Sequence, residues 1–196
     1  DSFRKATSPL KTHFIMRLTP ARSTLCVIDV QEKLISTIPT GHQLTTECCR
    51  IVEAATLFGT HVILTEQYRK GLGPTVTPLA EKLQHSEPIE KNTFSCCGST
   101  SFINRIPTST ETLVLCGIET HICIAQTALD LLQLGYHVCI AADAVGSRHE
   151  QDHNVALRRL EGSGAVISTT EAILFEWCNT AENPAFQKMR RLIAKE

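Results

Sequence analysis

Short apolar runs alternate along this chain with longer stretches in which apolar positions recur every three to four residues. The runs predict strands over 24–30, 61–65, 88–91, 111–116, 137–141 and 166–168. The stretches between and after them predict helices over 44–58, 76–83, 99–105, 121–134, 150–162, 171–177 and 184–194. Punctuation agrees: Gly59 and Gly135 follow helices where a left-handed cap is wanted, and Pro107 closes the short helix before it. Strands alternating with helices predict an α/β domain built on a parallel sheet. No repeat, low-complexity segment or linker divides it, so 24–196 reads as one domain. Residues 1–23 differ. They carry Arg4, Lys5, Lys11, Arg17 and Arg22 against the single acid Asp1, without strand or helix periodicity. This stretch reads as an N-terminal extension, whether a tag remnant, a start before Met16 or a targeting segment.

Composition narrows the function classes. Apolar residues make up 42% and charged residues 20%, an ordinary soluble globular balance. No run of about 18 apolar residues is present, which argues against a membrane span. A formal net charge of −1 lacks the basic footprint of a nucleic-acid partner. The nine cysteines are odd in number and include the adjacent pairs Cys48-Cys49 and Cys96-Cys97, a poor disulfide framework. Cys26, Cys116 and Cys139 sit in apolar runs, where a reduced cysteine serves as a small hydrophobe. Such usage fits a reducing intracellular compartment, cytoplasmic or mitochondrial.

In open α/β sheets ligands bind beyond the carboxyl ends of the strands, so the residues there carry the chemistry. Asp29 ends the first strand, Lys91 ends the third and Cys123 follows the fourth. A carboxylate in the run Val27-Ile28-Asp29-Val30 is costly unless paired or functional. Cys123 lies beside a helix start, which would lower its pKa and supply amide donors for an oxyanion. Singly, Asp29 reads as a loop cap, Lys91 as a solvated side chain and Cys123 as a buried thiol. Together they form a coherent nucleophilic site: Asp29 takes the thiol proton, and Lys91 holds the thiolate by charge. Tyr68 and Phe94 lie where they could line a pocket. His121 and Cys123 are spaced to face apart, and His149 and His153 read as a solvated helix start, so none supplies a metal site.

The same residues carry a resemblance. Val27-Ile28-Asp29-Val30-Gln31 matches a D-x-Q motif, Lys91-Asn92-Thr93-Phe94-Ser95 a K-x-x-F-S motif, and Gly117-Ile118-Glu119-Thr120-His121-Ile122-Cys123 a G-x-x-T-x-x-C motif. In this order and spacing, with the later loops Asp143 to Arg148 and Ser168 to Glu171, they resemble the isochorismatase-like cysteine hydrolase superfamily over roughly residues 22–195. The resemblance implies a three-layer α/β/α, Rossmann-like fold with a mostly parallel six-stranded sheet. It implies Asp29, Lys91 and Cys123 as catalytic triad and a cis Ile118–Glu119 peptide. The amides of Glu119 and Cys123 would form the oxyanion hole, and Gln31, Tyr68, Phe94 and Ile118 a pocket for a small-molecule substrate. The stretch Thr65 to Pro74 is similar to the isochorismatase-domain-containing branch, some of whose members are labelled mitochondrial-associated ribonuclease. Nicotinamidases of the superfamily carry an Asp-x-His metal motif there. Its lack here implies no zinc or iron site and no cofactor. A homo-oligomer, dimer or tetramer, is also implied. A hydrolase of small amides or related C–N bonds is the leading expectation, with a ribonuclease or a non-catalytic scaffold as alternatives.

Overall fold

The computed structural model describes residues 17–194, so most of the expected extension, 1–16, lies outside the described residues. The remainder of that stretch is in contact with the domain. Leu18 is buried in the core, and its amide donates to Glu176 Oε2 at 2.6 Å.

Six strands form one sheet: β1 (Ser23–Ile28), β2 (His61–Gln67), β3 (Ile89–Lys91), β4 (Thr112–Ile118), β5 (His137–Gly146) and β6 (Val166–Ser168). Their spatial order is β3-β2-β1-β4-β5-β6, and every pairing is parallel. Parallel neighbours require crossovers, which the helices supply. These are α1 (Glu32–Ile35), α2 (Gly41–Phe58), α3 (Arg69–Leu72), α4 (Thr77–Ala80), α5 (Thr100–Arg105), α6 (Ala125–Gln133), α7 (Glu150–Gly162), α8 (Thr170–Cys178) and α9 (Phe186–Ile193).

Strand side chains point alternately to the two faces, and both faces are covered. Leu25, Val27, Val114 and Cys116 pack against Leu44, Ile51 and Val52 of α2, Leu174 and Trp177 of α8 and Met189 of α9. Cys26, Ile28, Leu113 and Leu115 pack oppositely against Phe102 of α5, Ala128 and Leu131 of α6 and Leu160 of α7. This is the expected three-layer α/β/α sandwich. The two-sided burial explains why the central strands read as continuous apolar runs.

Local differences from the sequence reading cluster at the carboxyl edge. The first strand stops at Ile28, not at 30, because Asp29 turns into the left-handed region with φ 54°. The second and fifth strands run on to Gln67 and Gly146. The helix expected over 76–83 is the single turn α4. The helix expected from 121 begins instead as a wide π turn, Thr120–Ile124, with Ile124 N donating to the Glu119 carbonyl five residues back at 3.2 Å. The turns α1 and α3 carry too few residues for a helical period to be read from sequence.

Candidate active site

Asp29, Lys91 and Cys123 meet beyond the carboxyl edge of the sheet's centre, and all three are nearly closed off from solvent (0%, 3% and 7% exposed). Asp29 is aimed by its left-handed backbone, a conformation costing of order 1–3 kcal/mol in a non-glycine residue. Its amide donates to Thr65 O at 3.2 Å, and Thr65 Oγ1 donates to Asp29 Oδ1 at 2.7 Å. Lys91 Nζ donates to Asp29 Oδ2 at 2.6 Å, to Gln67 Oε1 at 2.7 Å and to the carbonyls of Phe94 and Thr93 at 3.1 and 3.2 Å. The buried charge is therefore paired and hydrogen-bonded, as burial demands. Cys123 sits in the π turn, its thiol close enough to Asp29 to feel the carboxylate directly.

The electrostatics correct one expectation. The helix-start argument predicts a depressed thiol pKa at Cys123. Burial instead pushes this thiol well above the usual range, and the Asp29 carboxylate adds to the rise, with Lys91 opposing it only partly. At rest Cys123 is a thiol, so its attack needs a base. Burial pulls the Lys91 ammonium toward its neutral form, but Asp29 foremost among the neighbouring groups outweighs this and raises the pKa. Lys91 is charged at neutral pH. Cys96, whose Sγ lies 3.9 Å from Thr65 Oγ1, is pushed up to about 12 by burial and then by Asp29.

The Ile118–Glu119 peptide is cis. The Glu119 carbonyl accepts from Ile122 and Ile124 amides, and its carboxylate takes Arg148 Nε at 3.1 Å and the Arg148 amide at 3.0 Å. The turn bearing the expected oxyanion donors, the amides of Glu119 and Cys123, is thus braced from behind.

Two expected pocket residues differ. Ile118 is fully buried in the core on the α2 side, because the β-strand alternation turns it inward. Gln31 is also fully buried, and its amide is committed: Nε2 donates to Gln67 O at 3.0 Å and Gly73 O at 2.7 Å, while Oε1 accepts from Gln67 N at 2.7 Å. Tyr68 and Phe94 are 51% and 54% exposed. Each is tied to Lys91, since Tyr68 N donates to Lys91 O at 3.0 Å and Phe94 O accepts from Lys91 Nζ. His153 is half-buried rather than solvated: its Nδ1 meets Thr120 Oγ1 at 2.9 Å, tying α7 to the π turn. His121 Nδ1 meets Ser147 Oγ at 2.9 Å. A cavity of about 450 Å³, lined among others by Thr40, Asp143, Ser147 and His153, adjoins this turn; Cys123 is not in its wall. Among the described residues no group of three or more His, Cys, Asp or Glu side chains is arranged to hold a metal ion.

Sequence reasoning missed Thr65 and Gln67. Both are polar residues inside or just ending an apolar strand, which is the signal that marked Asp29.

Comparison with known proteins bears on the same stretch of chain. The Isochorismatase domain family model matches residues 23–172. The chain is 40% identical over 182 residues to isochorismatase domain-containing protein 2 of Danio rerio, covering 92% of this chain and 91% of that protein. Among solved structures it is similar to MAR1 ribonuclease from Caenorhabditis elegans, with a TM-score of 0.87, 36% identity and coverage of 92% and 94%. It shares its fold with the Escherichia coli YcaC gene product, an octameric hydrolase of unknown specificity (TM-score 0.81, 21% identity, coverage 90% and 94%).

Proposed function

Since the chain belongs to the isochorismatase domain family, we propose that it is a cysteine hydrolase of a small amide or a related C–N bond. The observation that carries this reading is the buried contact chain from Cys123 through Asp29 to Lys91. Two buried ions with an adjacent thiol are an expensive arrangement, and nucleophilic catalysis gives them a use.

Cys123 begins as a thiol. Its proton passes to the Asp29 carboxylate as sulfur bonds to the substrate carbonyl carbon. The carbonyl π electrons move to oxygen, and the amides of Glu119 and Cys123 are proposed to hold that oxyanion. Collapse breaks the C–N bond, and the departing nitrogen takes the proton from Asp29. A thioester remains. Water then gives a proton to Asp29 and its oxygen to the acyl carbon. The C–S bond breaks, the acid leaves, and the Cys123 sulfur recovers its proton from Asp29. Lys91 stays protonated throughout and favours each anionic stage. Tyr68 and Phe94 are proposed as the exposed walls of the entrance.

A panel of small amides, read by mass spectrometry for the acid product, tests this. Cys123→Ala is expected to abolish turnover of any amide the wild type cleaves. Full turnover in that variant would refute the mechanism.

A ribonuclease is the second reading, and it rests on the name of the worm relative. A net charge of −1 supplies no basic footprint for it. Cleavage of a labelled RNA that is lost in Cys123→Ala would favour this reading over the amidase. The octameric name of YcaC supports the proposal that this chain forms a homo-oligomer. All nine cysteines are free, which supports an intracellular, reducing compartment, cytoplasmic or mitochondrial.

A further inference from the structure

We infer that Gln67 is a positioning residue of this site, locking the Lys91 ammonium in place against Asp29. The inference rests on the cysteine-hydrolase reading above and goes one layer behind it.

An ammonium has three protons and no directional preference of its own. Here four acceptors surround Nζ: Asp29 Oδ2, Gln67 Oε1 and the carbonyls of Thr93 and Phe94. The two shortest contacts, 2.6 and 2.7 Å, are to Asp29 and Gln67. The carbonyls belong to the loop just after Lys91 itself. Gln67 is therefore the neutral side chain that holds Nζ from another strand. Its amide cannot serve equally well when turned over. Nε2 donates to the Asn92 carbonyl at 3.0 Å, a contact that only the NH₂ end can make, so Oε1 must face the ammonium.

Gln67 is itself held. The buried Gln31 side chain takes the Gln67 amide on Oε1 and gives Nε2 to the Gln67 carbonyl, gripping the backbone on both sides as a neighbouring strand would. The same Nε2 reaches Gly73 O, joining the α3 loop to this brace. The order of dependence is Gln31, Gln67, Lys91, Asp29, Cys123. A neutral acceptor is the suitable choice. It fixes the cation without cancelling the charge that offsets Asp29 at the thiol.

The test needs no substrate. Iodoacetamide labelling of Cys123 is followed by mass spectrometry across pH, with the half-buried Cys97 as internal control. The titratable groups coupled to Cys123 are Asp29, Lys91 and Cys96. Gln67→Met keeps length and removes the acceptor. It is expected to move the Cys123 profile to higher pH and slow labelling about tenfold at fixed pH, the equivalent of one unit in thiol acidity. Gln67→Glu keeps the acceptor but adds a negative charge beside Nζ, and is expected to move the profile at least as far. Both leave the Cys97 profile in place. Gln67→Met and Gln67→Glu profiles that coincide with wild type would overturn the positioning role. So would faster labelling of Cys123 and Cys97 together, which is what mere loosening produces. Lys91→Met separates the two readings. If it shifts the Cys123 profile and the Gln67 variants do not, only the positioning role falls. If Lys91→Met shifts nothing, the triad reading falls with it.

Discussion

The Lys91–Asp29 pair concentrates the risk of this fold in two side chains. Both are closed to solvent, and their contact is 2.6 Å. Removing one partner leaves the other as an uncompensated buried charge, a loss typically of about 3–5 kcal/mol. Lys91→Met is accordingly expected to lower unfolding free energy by about that amount in urea denaturation at pH 7, and a midpoint equal to wild type would contradict it. The residue types at the strand ends made Asp29, Lys91 and Cys123 legible in the sequence. The acidity of Cys123 was not legible, because its sign depends on how deeply the π turn is buried and how near the Asp29 carboxylate lies. Gln31 was legible as a site residue but not as the brace of Gln67, and the role of Gln67 was not legible: what a glutamine does depends on which atoms it faces, and spacing carries no record of that.

At the scale of elements, β4 lies against its neighbour β1 with no room to spare at the carboxyl end of the pair. Ile28 and Gly117 are register partners, and Gly117 has φ 117°, a region that side chains rarely adopt. A Cβ there would stand 2.0 Å from the Ile28 carbonyl oxygen. Gly117→Ala must move the end of β1, and with it Asp29. It is expected to cost about 3 kcal/mol or more in chemical denaturation, and to diminish turnover in whatever fraction stays folded. A variant with the wild-type midpoint would show that the strand ends can separate freely. The elements themselves were well read where they are long. The α2, α6 and α7 helices and the central strands follow from periodicity, as burial on one stripe or on both faces requires. The single turns α1 and α3 and the π turn were invisible, since each is settled by a few hydrogen bonds at the sheet's edge rather than by a repeating pattern.

Across the whole molecule, pH acts through the join between α7 and the π turn. His153 ties α7 to the π turn through Thr120, and burial lowers its pKa, with Glu150 opposing. The folded form thus binds a proton less readily than the unfolded chain, whose histidine titrates near 6.5. Stability from this group is present above that value and declines as pH falls through it toward the lower folded pKa. The melting temperature is expected to fall between pH 7.5 and 5.5, and to fall less in His153→Gln. Equal losses in both proteins would assign the acid sensitivity elsewhere. The sheet order has a different consequence. Lys91 closes β3, an edge strand three residues long, while Asp29 and Cys123 follow central strands. Edge segments open far more often than sheet centres. Each brief fraying of β3 would withdraw the cation from the thiol while the rest of the molecule stays native. The proposed reactive state is then a matter of occupancy, governed by how long this three-residue strand remains zipped to its neighbour.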